Sequence, residues 1–328
     1  MRLAIVGATG LVGAEILKVL DERNFFITKL FLVASKKSKN KKLSFRQKSY
    51  TIITISELLD EKIDLALFSA GKNVSKEWAP QLAKKGVKVI DNSSFWRLND
   101  KNKLIVPEIN GHLITKEDMI ISNPNCSTIQ LLMPLAPLHQ KFKIRRIIIS
   151  TYQAVSGTGE LAVQQLKNEE KKIKSEMAYP HFIYQNVLPH CDEFNDNGYT
   201  KEEMKLTLET NKILESNIGI TATAVRVPVV RGHSESVNIT FENKFNLEDI
   251  YKTLNCTTGV VVFDDVSKNN YPMPINTMHK DDVYVGRIRK DFSFDKSINL
   301  WIVSDNLRKG AATNTVQIAE YLFKNKIL

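Results

Sequence analysis

Three stretches of the chain carry residue types that could do chemistry. In ISNPNCSTIQ (121–130), Pro124 interrupts a β-like run and Cys126-Ser127-Thr128 opens a helix reading CSTIQLLMPLAPLHQKF. A thiol at a helix N-terminus lies where unpaired backbone N–H groups and the helix dipole favour a thiolate, the form a nucleophile needs. The competing role is that of a small buried hydrophobe. In RVPVVRGHSES (226–236), His233 follows a glycine at the end of an apolar strand. An imidazole there can be a general acid or base, or a hydrogen-bonded structural residue. In GATGLVG (7–13), Gly7, Gly10 and Gly13 form a G-x-x-G-x-x-G turn between a short apolar strand (2–7) and an amphipathic helix (10–23). The spacing departs from G-x-G-x-x-G, but the strand–turn–helix context is the one required. Glycines permit the tight turn and the close approach of a pyrophosphate to backbone N–H groups at the helix start. A purely structural turn is the alternative.

The elements that must position these groups change character near residue 125. Before it, strands at 29–35, 63–71 and 87–94 alternate with a helix at 74–86. Such alternation with short connections predicts a parallel, doubly wound sheet, with ligands beyond the carboxyl ends of its strands. Ser35, Ser69, Gly71 and Asn92 fall at such ends. The second strand ends in Ser35-Lys36-Lys37-Ser38 without a carboxylate. An acidic residue there would bind the adenosine ribose of NAD, whereas hydroxyls and ammonium groups suit a 2′-phosphate, so NADP(H) is the expected cofactor. After 125, long β-rich runs (145–157, 219–230, 235–242, 259–265, 282–291, 297–306) are separated by helices, among them a charged helix at 199–214 opened by a Thr cap. The expected division is an NADP-binding domain at 1–125, an α+β domain at 126–305, and a C-terminal helix within 306–328 packing back on the first.

Composition excludes several classes. The 328 residues are 43% hydrophobic and 25% charged, ordinary values for a globular chain. The net charge of +10 is concentrated in KKSKNKK (36–42) and the mixed-sign KNEEKKIKSE (167–176). Neither run is interleaved with aromatics for base stacking, so no nucleic-acid partner is expected. Cysteines at 126, 191 and 256 are too widely spaced for a disulfide framework or a zinc site, and His181, His190 and Cys191 lack metal-ligand spacing, so no metal is expected. The first residues turn glycine-rich too early for a signal peptide, and no apolar run reaches the roughly 18 residues of a membrane span. A cytoplasmic protein with no membrane partner is expected.

Together, GATGLVG, FSAGKNVSKEWAP, VIDNSSFWRL, VPEIN, SNPNCST, YQAVSGTG, EEMKLTLETNKI, RVPVVRGHSES and DNLRKGAATNTVQIAE resemble the aspartate-β-semialdehyde dehydrogenase family, in its shorter bacterial branch, in order and over nearly the whole chain. The resemblance implies an α/β fold similar to glyceraldehyde-3-phosphate dehydrogenase. That fold has a Rossmann-like doubly wound domain and an α+β catalytic and dimerisation domain that makes a homodimer. It implies reversible NADPH-dependent reduction of L-aspartyl-4-phosphate to L-aspartate-4-semialdehyde and phosphate through a cysteine thioester, a step toward lysine, methionine and threonine. Carried over, Cys126 is the nucleophile, His233 the acid/base, and Gln153 the residue orienting substrate or thioester. Arg226 grips the substrate carboxylate with Glu202 near its amino group, and Arg97, Lys205 and Asn125 match phosphate-binding positions. Cofactor-binding positions are Gly7, Thr9, Gly10, Leu11, Val12 and Gly13, with Ser35, Lys37, Ser38, Ser69 and Gly71; Ser156, Gly157 and Asn306 line the nicotinamide. Two departures stand out: KKSKNKK replaces the small residues common after the second strand, and Trp96 adds bulk beside Arg97. The alternatives are N-acetyl-glutamyl-phosphate reductase and a non-catalytic cofactor-binding relative. Retention of Cys126, Gln153, Arg226 and His233 argues against the latter.

Overall fold

The computed structural model describes all 328 residues, Met1–Leu328. They form two compact units, one of Met1–Asn125 with Ala311–Leu328, the other of Cys126–Gly310.

The first unit is built on strands β1 (Arg2–Val6), β2 (Lys29–Val33), β3 (Lys42–Phe45), β4 (Lys48–Ile53), β5 (Leu65–Phe68), β6 (Lys88–Asp91), β7 (Lys103–Leu104) and β8 (Ile120–Ser122), in the order β3-β4-β2-β1-β5-β6-β8-β7. All neighbours are parallel except β3 and β4. The central strands are apolar at successive positions because both sheet faces are covered. Leu3 and Ile5 face helices α1 (Leu11–Glu22) and α10 (Thr313–Lys324), packing with Ile16, Leu20, Val316 and Ala319. Ala4 and Val6 face the other way, with Phe68 and with Ala79 and Leu82 of α3 (Lys72–Lys84). Burial of each such large aliphatic side chain contributes about 1.5–3 kcal/mol. The C-terminal helix α10 is clamped to this unit by Arg23, whose Nε and Nη2 donate to the two oxygens of Glu320 at 2.8 and 2.7 Å. Short helices α2 (Ile55–Leu58) and α4 (Pro107–Asn110) complete it.

The second unit begins with helix α5 (Cys126–Phe142) and holds strands β9 (Ile144–Gln153), β10 (Gly219–Arg226), β11 (His233–Phe241), β12 (Val260–Val262), β13 (Val283–Lys290) and β14 (Ser297–Ser304) in the order β10-β9-β11-β14-β13-β12. The sheet is mixed: β9/β10 and β12/β13 are parallel, the other pairs antiparallel. On β9, Ile147, Ile149, Thr151 and Gln153 are buried, whereas Ile148 and Tyr152 are exposed, which is the period-two pattern of a sheet covered on one face. Helices α5, α7 (Lys201–Leu214) and α8 (Leu247–Asn255) pack against it, and α6 (Glu160–Glu170) and α9 (Pro274–Thr277) flank its loops.

The structure differs from the sequence reading at element ends. Strand 219–230 stops at Arg226, since Pro228 offers no N–H to a ladder. Strand 259–265 stops at Val262, where Asp264 instead accepts from the N–H groups of Arg287 and Ile288 and from Tyr251 Oη. The β3–β4 hairpin went unforeseen because its left-handed turn is made by Arg46 and Gln47, not by Asn-Gly.

Candidate active site

In the first unit the carboxyl ends of β1, β2, β5 and β6 carry the glycine turn, Ser35, Ser69 and Asn92. Two glycines are there of steric necessity. A Cβ on Gly13 would lie 2.2 Å from the Gly7 carbonyl oxygen, and one on Gly7, whose φ is +92°, would lie 2.6 Å from that of Ser69. The Gly7 and Ala8 N–H groups donate to Val33 O at 2.8 and 3.0 Å, which ties the turn to β2. Thr9 and Gly10 are exposed, Leu11 and Val12 half-buried. Gly71, with φ +84°, caps α3 with nothing within 4 Å of a would-be Cβ. This open cradle at a helix N-terminus fits a dinucleotide pyrophosphate. After β2, Lys36–Ser38 make a 3₁₀ turn with Ser35 and Lys37 exposed and Ser38 half-buried. Glu57, the acid bonded to the next residue of this stretch, is engaged by Lys39 Nζ at 2.5 Å and by the Thr54 capping box. Arg97 is buried and donates from Nη2 to Asn92 O at 2.7 Å. The bulk of Trp96 packs into the core around β5 and α3, its Nε1 donating to Ser75.

The turn into the cysteine is fixed within this unit. Asn314 of α10 donates to Asn123 Oδ1 at 2.7 Å and to Ile105 O, and Asn123 N–H donates to Asp91 O. Asn125 is buried as the last residue of the first unit.

Cys126 is the first residue of α5 and half-buried; none of the three cysteines is in a disulfide. Its neighbour Ser127 accepts from Gln153 Nε2 at 3.1 Å, and the same nitrogen reaches Thr151 Oγ1 and Glu202 Oε1, each at 3.2 Å. That one amide therefore joins the start of α5, the end of β9 and the first turn of α7. The buried carboxylate of Glu202 accepts from Lys205 one turn on, at 3.0 Å, and Lys205 also reaches Asp192 Oδ2 at 2.6 Å. Burial raises the pKa of Asp192, but the bond and charge of Lys205 together with the Glu193 N–H outweigh this and leave it lowered.

His233 opens β11 and is wholly buried. Its Nδ1 accepts from the Ala154 backbone N–H at 3.0 Å, so the neutral ring carries its proton on Nε2, which has no partner. Burial, then the nearby Arg226 guanidinium, pushes its pKa down to about 3. Arg226, at the end of β10, donates from Nη1 to Ala154 O at 2.7 Å, while its buried Nε has no partner. Both groups converge on Gly157: a Cβ there would lie 3.0 Å from Arg226 Nη1 and 3.3 Å from His233 Nε2. Alongside, Asn306 and Ser156 hydrogen-bond at 3.0 Å, and Asn306 Oδ1 accepts from Gly232 N–H. An imidazole N–H donor beside an incompletely paired guanidinium, in the unit whose first residue is a half-buried thiol, is a set of groups suited to acyl transfer on an anionic substrate.

Thus Cys126, Gln153, Glu202, Lys205, Arg226, His233, Ser156, Gly157 and Asn306 all belong to the second unit, whereas the glycine turn, Ser35 to Ser38, Ser69, Gly71, Arg97 and Asn125 belong to the first. Sequence reasoning missed Ala154, whose backbone orients both His233 and Arg226, and Asp192, the second carboxylate on Lys205. It also missed Glu235, on the same buried strand face as His233, whose pKa burial raises well above the usual carboxylate value. Backbone roles leave no mark on residue type. His190 stacks on Phe194, and burial pushes the Cys191 thiol up to about 12, so neither stands as a ready ligand or nucleophile.

Comparison with known proteins matches this architecture. A family profile described as semialdehyde dehydrogenase, NAD binding domain, fits residues 2–117, and one described as semialdehyde dehydrogenase, dimerisation domain, fits residues 135–309. The chain is similar to the aspartate-semialdehyde dehydrogenase of Aquifex aeolicus (strain VF5), 49% identical over 337 residues covering 100% of this chain and 99% of that protein. It is 44% identical to that of Bacillus subtilis (strain 168), covering 99% and 98%. Among solved structures it is similar to aspartate semialdehyde dehydrogenase II from Vibrio cholerae, solved also as a complex with ASA, with TM-score 0.94, 42% identity and 98% of each chain covered. The motifs, the two-unit fold and these likenesses agree: the chain belongs to the aspartate-semialdehyde dehydrogenase family.

Proposed function

We propose that the protein is an NADP-dependent, phosphorylating aspartate-semialdehyde dehydrogenase that reduces L-aspartyl-4-phosphate to L-aspartate-4-semialdehyde and phosphate, and runs in reverse. The convergence of His233 Nε2 and Arg226 Nη1 on Gly157, in the unit headed by Cys126, carries this reading. In the reductive direction the Cys126 thiolate attacks the acyl carbon, the C–O bond to phosphate breaks, and the acyl group is held as a thioester. Serine would give an ester, which accepts hydride less readily. Gly7 to Gly13, with Ser35, Lys37, Ser38, Ser69 and Gly71, are assigned to the cofactor, which would supply the hydride when bound; Ser156, Gly157 and Asn306 are each assigned to its nicotinamide. His233 serves as the acid: its Nε2–H is offered to the oxygen on the reacting carbon as negative charge develops there. Arg226, with its unpaired Nε, takes the substrate carboxylate, and Glu202 takes the amino group. Gln153 holds the thioester in register with Ser127, and Arg97, Lys205 and Asn125 are each assigned to phosphate.

The absence of a carboxylate after β2 supports NADP over NAD. The exposed sheet face with Ile148 and Tyr152, the latter against the ring of the half-buried Trp301, supports a homodimer, in keeping with the dimerisation-domain likeness. No helix is long and apolar enough to cross a membrane, and three cysteines outside any disulfide suit the reducing cytoplasm. The deciding experiment compares phosphate-dependent NADP reduction with aspartate semialdehyde and with N-acetylglutamate semialdehyde, in the wild type and in Cys126→Ala. Turnover of the first aldehyde alone, abolished in the variant with NADP affinity intact, is expected. Preference for the acetylated aldehyde would reassign the substrate, and normal turnover by Cys126→Ala would end the thioester mechanism.

A further inference from the structure

One contact at the nucleophile is explained by no catalytic role. Arg308–Ala312 form a π-helical turn ahead of α10, and a Cβ placed on Gly310 would lie 2.8 Å from Cys126 Cβ and 3.2 Å from Cys126 Cα. That is well inside van der Waals contact, so a side chain at 310 forces a displacement. Gly310 is not in the left-handed region, so the requirement is for space alone.

Neither backbone can give way cheaply. The π turn is tethered to Asp305, whose carbonyl accepts from Arg308 N–H at 3.1 Å and Gly310 N–H at 3.4 Å, and whose Oδ1 accepts from Leu307 N–H at 2.9 Å. Arg308 is pinned in turn to Asp281 Oδ1 at 2.7 Å, and Asp305 is wholly buried. On the other side, Ser127 and Thr128 are wholly buried, and Ser127 is held by Gln153. The atoms met are Cys126 Cβ and Cα, which no rotation about χ1 can move, so the clash is relieved only by shifting the first residue of α5, and the sulfur is carried with it. Single π turns of this kind concentrate at functional sites, where the widened turn re-aims the backbone.

We propose that Gly310 is a positioning residue for Cys126: by lacking a side chain, the π turn forms the wall against which the thiol is seated. This rests on the reading of Cys126 as the nucleophile. A methyl group at 310 moves the sulfur off its line of attack, and misplacement of a reacting group by about 1 Å can cost on the order of 10²-fold in rate.

The test is Gly310→Ala beside Gly219→Ala, whose added Cβ meets nothing nearer than 3.7 Å and which is expected to behave as wild type. For Gly310→Ala, kcat should fall roughly 10- to 100-fold and the rate of Cys126 alkylation by iodoacetamide should change several-fold. The KM for phosphate and the Kd for NADP should stay within about twofold. A wild-type kcat and alkylation rate would overturn the proposal. Should Gly310→Ala be too unstable to assay, denaturation midpoints settle it: the destabilisation should be clearly smaller in a Cys126→Gly background, where the clashing Cβ is gone. Equal destabilisation in both backgrounds would overturn it. This coupling reports on the contact even if Cys126→Ala retained turnover, so failure of the nucleophile reading and failure of this inference are told apart.

Discussion

The glycine turn of the first unit and the Gln153–Arg226–His233 cluster of the second are built from different materials. The turn is seven consecutive residues whose working parts are backbone N–H groups, and its requirement is the absence of side chains: Gly13 and Gly7 have carbonyl oxygens at 2.2 and 2.6 Å from where a Cβ would stand. The cluster draws on α5, β9, α7, β10 and β11, and its working parts are side chains desolvated to the point that Nε2 of His233 and Nε of Arg226 have no partner. A site made of local backbone resists substitution by sterics. A site made of dispersed polar groups depends on every packing decision around it, and its electrostatics are set by burial.

The largest effect expected from that difference is at the turn. Gly13→Val should abolish NADP binding and unfold or loosen the first unit, because the clash is with backbone and α1 cannot retreat without breaking its packing on Leu3 and Ile5. Overpacking of this kind costs about 1–3 kcal/mol where neighbours can relax, and more where they cannot. Hydrogen exchange should show the loss of protection largest in β1, α1 and β2. If Gly13→Val bound NADP normally, the turn would not be a steric device.

Next comes His233→Asn in the second unit. Asparagine keeps a polar group at the start of β11 but loses the Nε2–H donor, so turnover should fall about 10²- to 10⁴-fold, the scale of a positioned acid/base. Acylation of Cys126 by the acyl phosphate, followed in a single-turnover phosphate burst, should remain detectable, and NADP affinity should hold. Loss of NADP binding along with turnover would mean that the residue supports structure more than chemistry.

How legible these two regions were in the sequence follows from the same contrast. Residues 7–13 announce a dinucleotide turn because strand, glycines and helix adjoin in one stretch, and the element starts at β1, α1 and α5 were readable for the same local reason. His233 alone could not be told from a structural histidine; nothing in GHSES says that Ala154 N–H will take Nδ1 and leave the proton on Nε2. The role proposed for it, like those proposed for Gln153, Arg226, Glu202 and Lys205, comes from the resemblance, which compresses tertiary information that a single chain does not display. Gly310 illustrates the remainder: in RKGAATN it reads as an ordinary helix-start glycine, and only the packing of the π turn on Cys126 makes it informative.

A smaller effect is expected after β2. Ser35→Asp would put a carboxylate where the loop now offers hydroxyls and ammonium groups, and Glu57 cannot play that part while it holds Lys39. The ratio of kcat/KM for NADP to that for NAD should fall roughly tenfold or more, by like-charge repulsion of a 2′-phosphate and a new bond to the ribose of NAD. An unchanged ratio, measured at limiting cofactor, would remove this loop from cofactor selection.

The smallest expected effect separates the two units by pH. His233 has a folded pKa of about 3 against 6.5 unfolded, so the folded state resists protonation that the unfolded chain accepts. A depressed folded pKa means that the contribution is fully present above pH 6.5 and is lost as pH falls toward 3. Glu57 in the first unit has a folded pKa of about 2 against 4.5, held down first by the bond from Lys39, and its contribution is lost in the lower window from 4.5 toward 2. Between pH 6.5 and 4.5 the histidine therefore acts without the glutamate. Urea denaturation across that interval should show wild-type stability falling faster than that of His233→Asn, with a difference in slope of at most about 1.4 kcal/mol per pH unit, the value for one proton. Glu57→Gln, which keeps the capping geometry but not the charge, should track the wild type above pH 4.5 and diverge only below it. The direction depends on burial, which disfavours the imidazolium more strongly than Glu202 favours it. If His233→Asn and the wild type shared one slope from pH 6.5 to 4.5, the imidazole would have to be charged in the folded state. The reading of Nε2–H as a neutral donor would then fail with it.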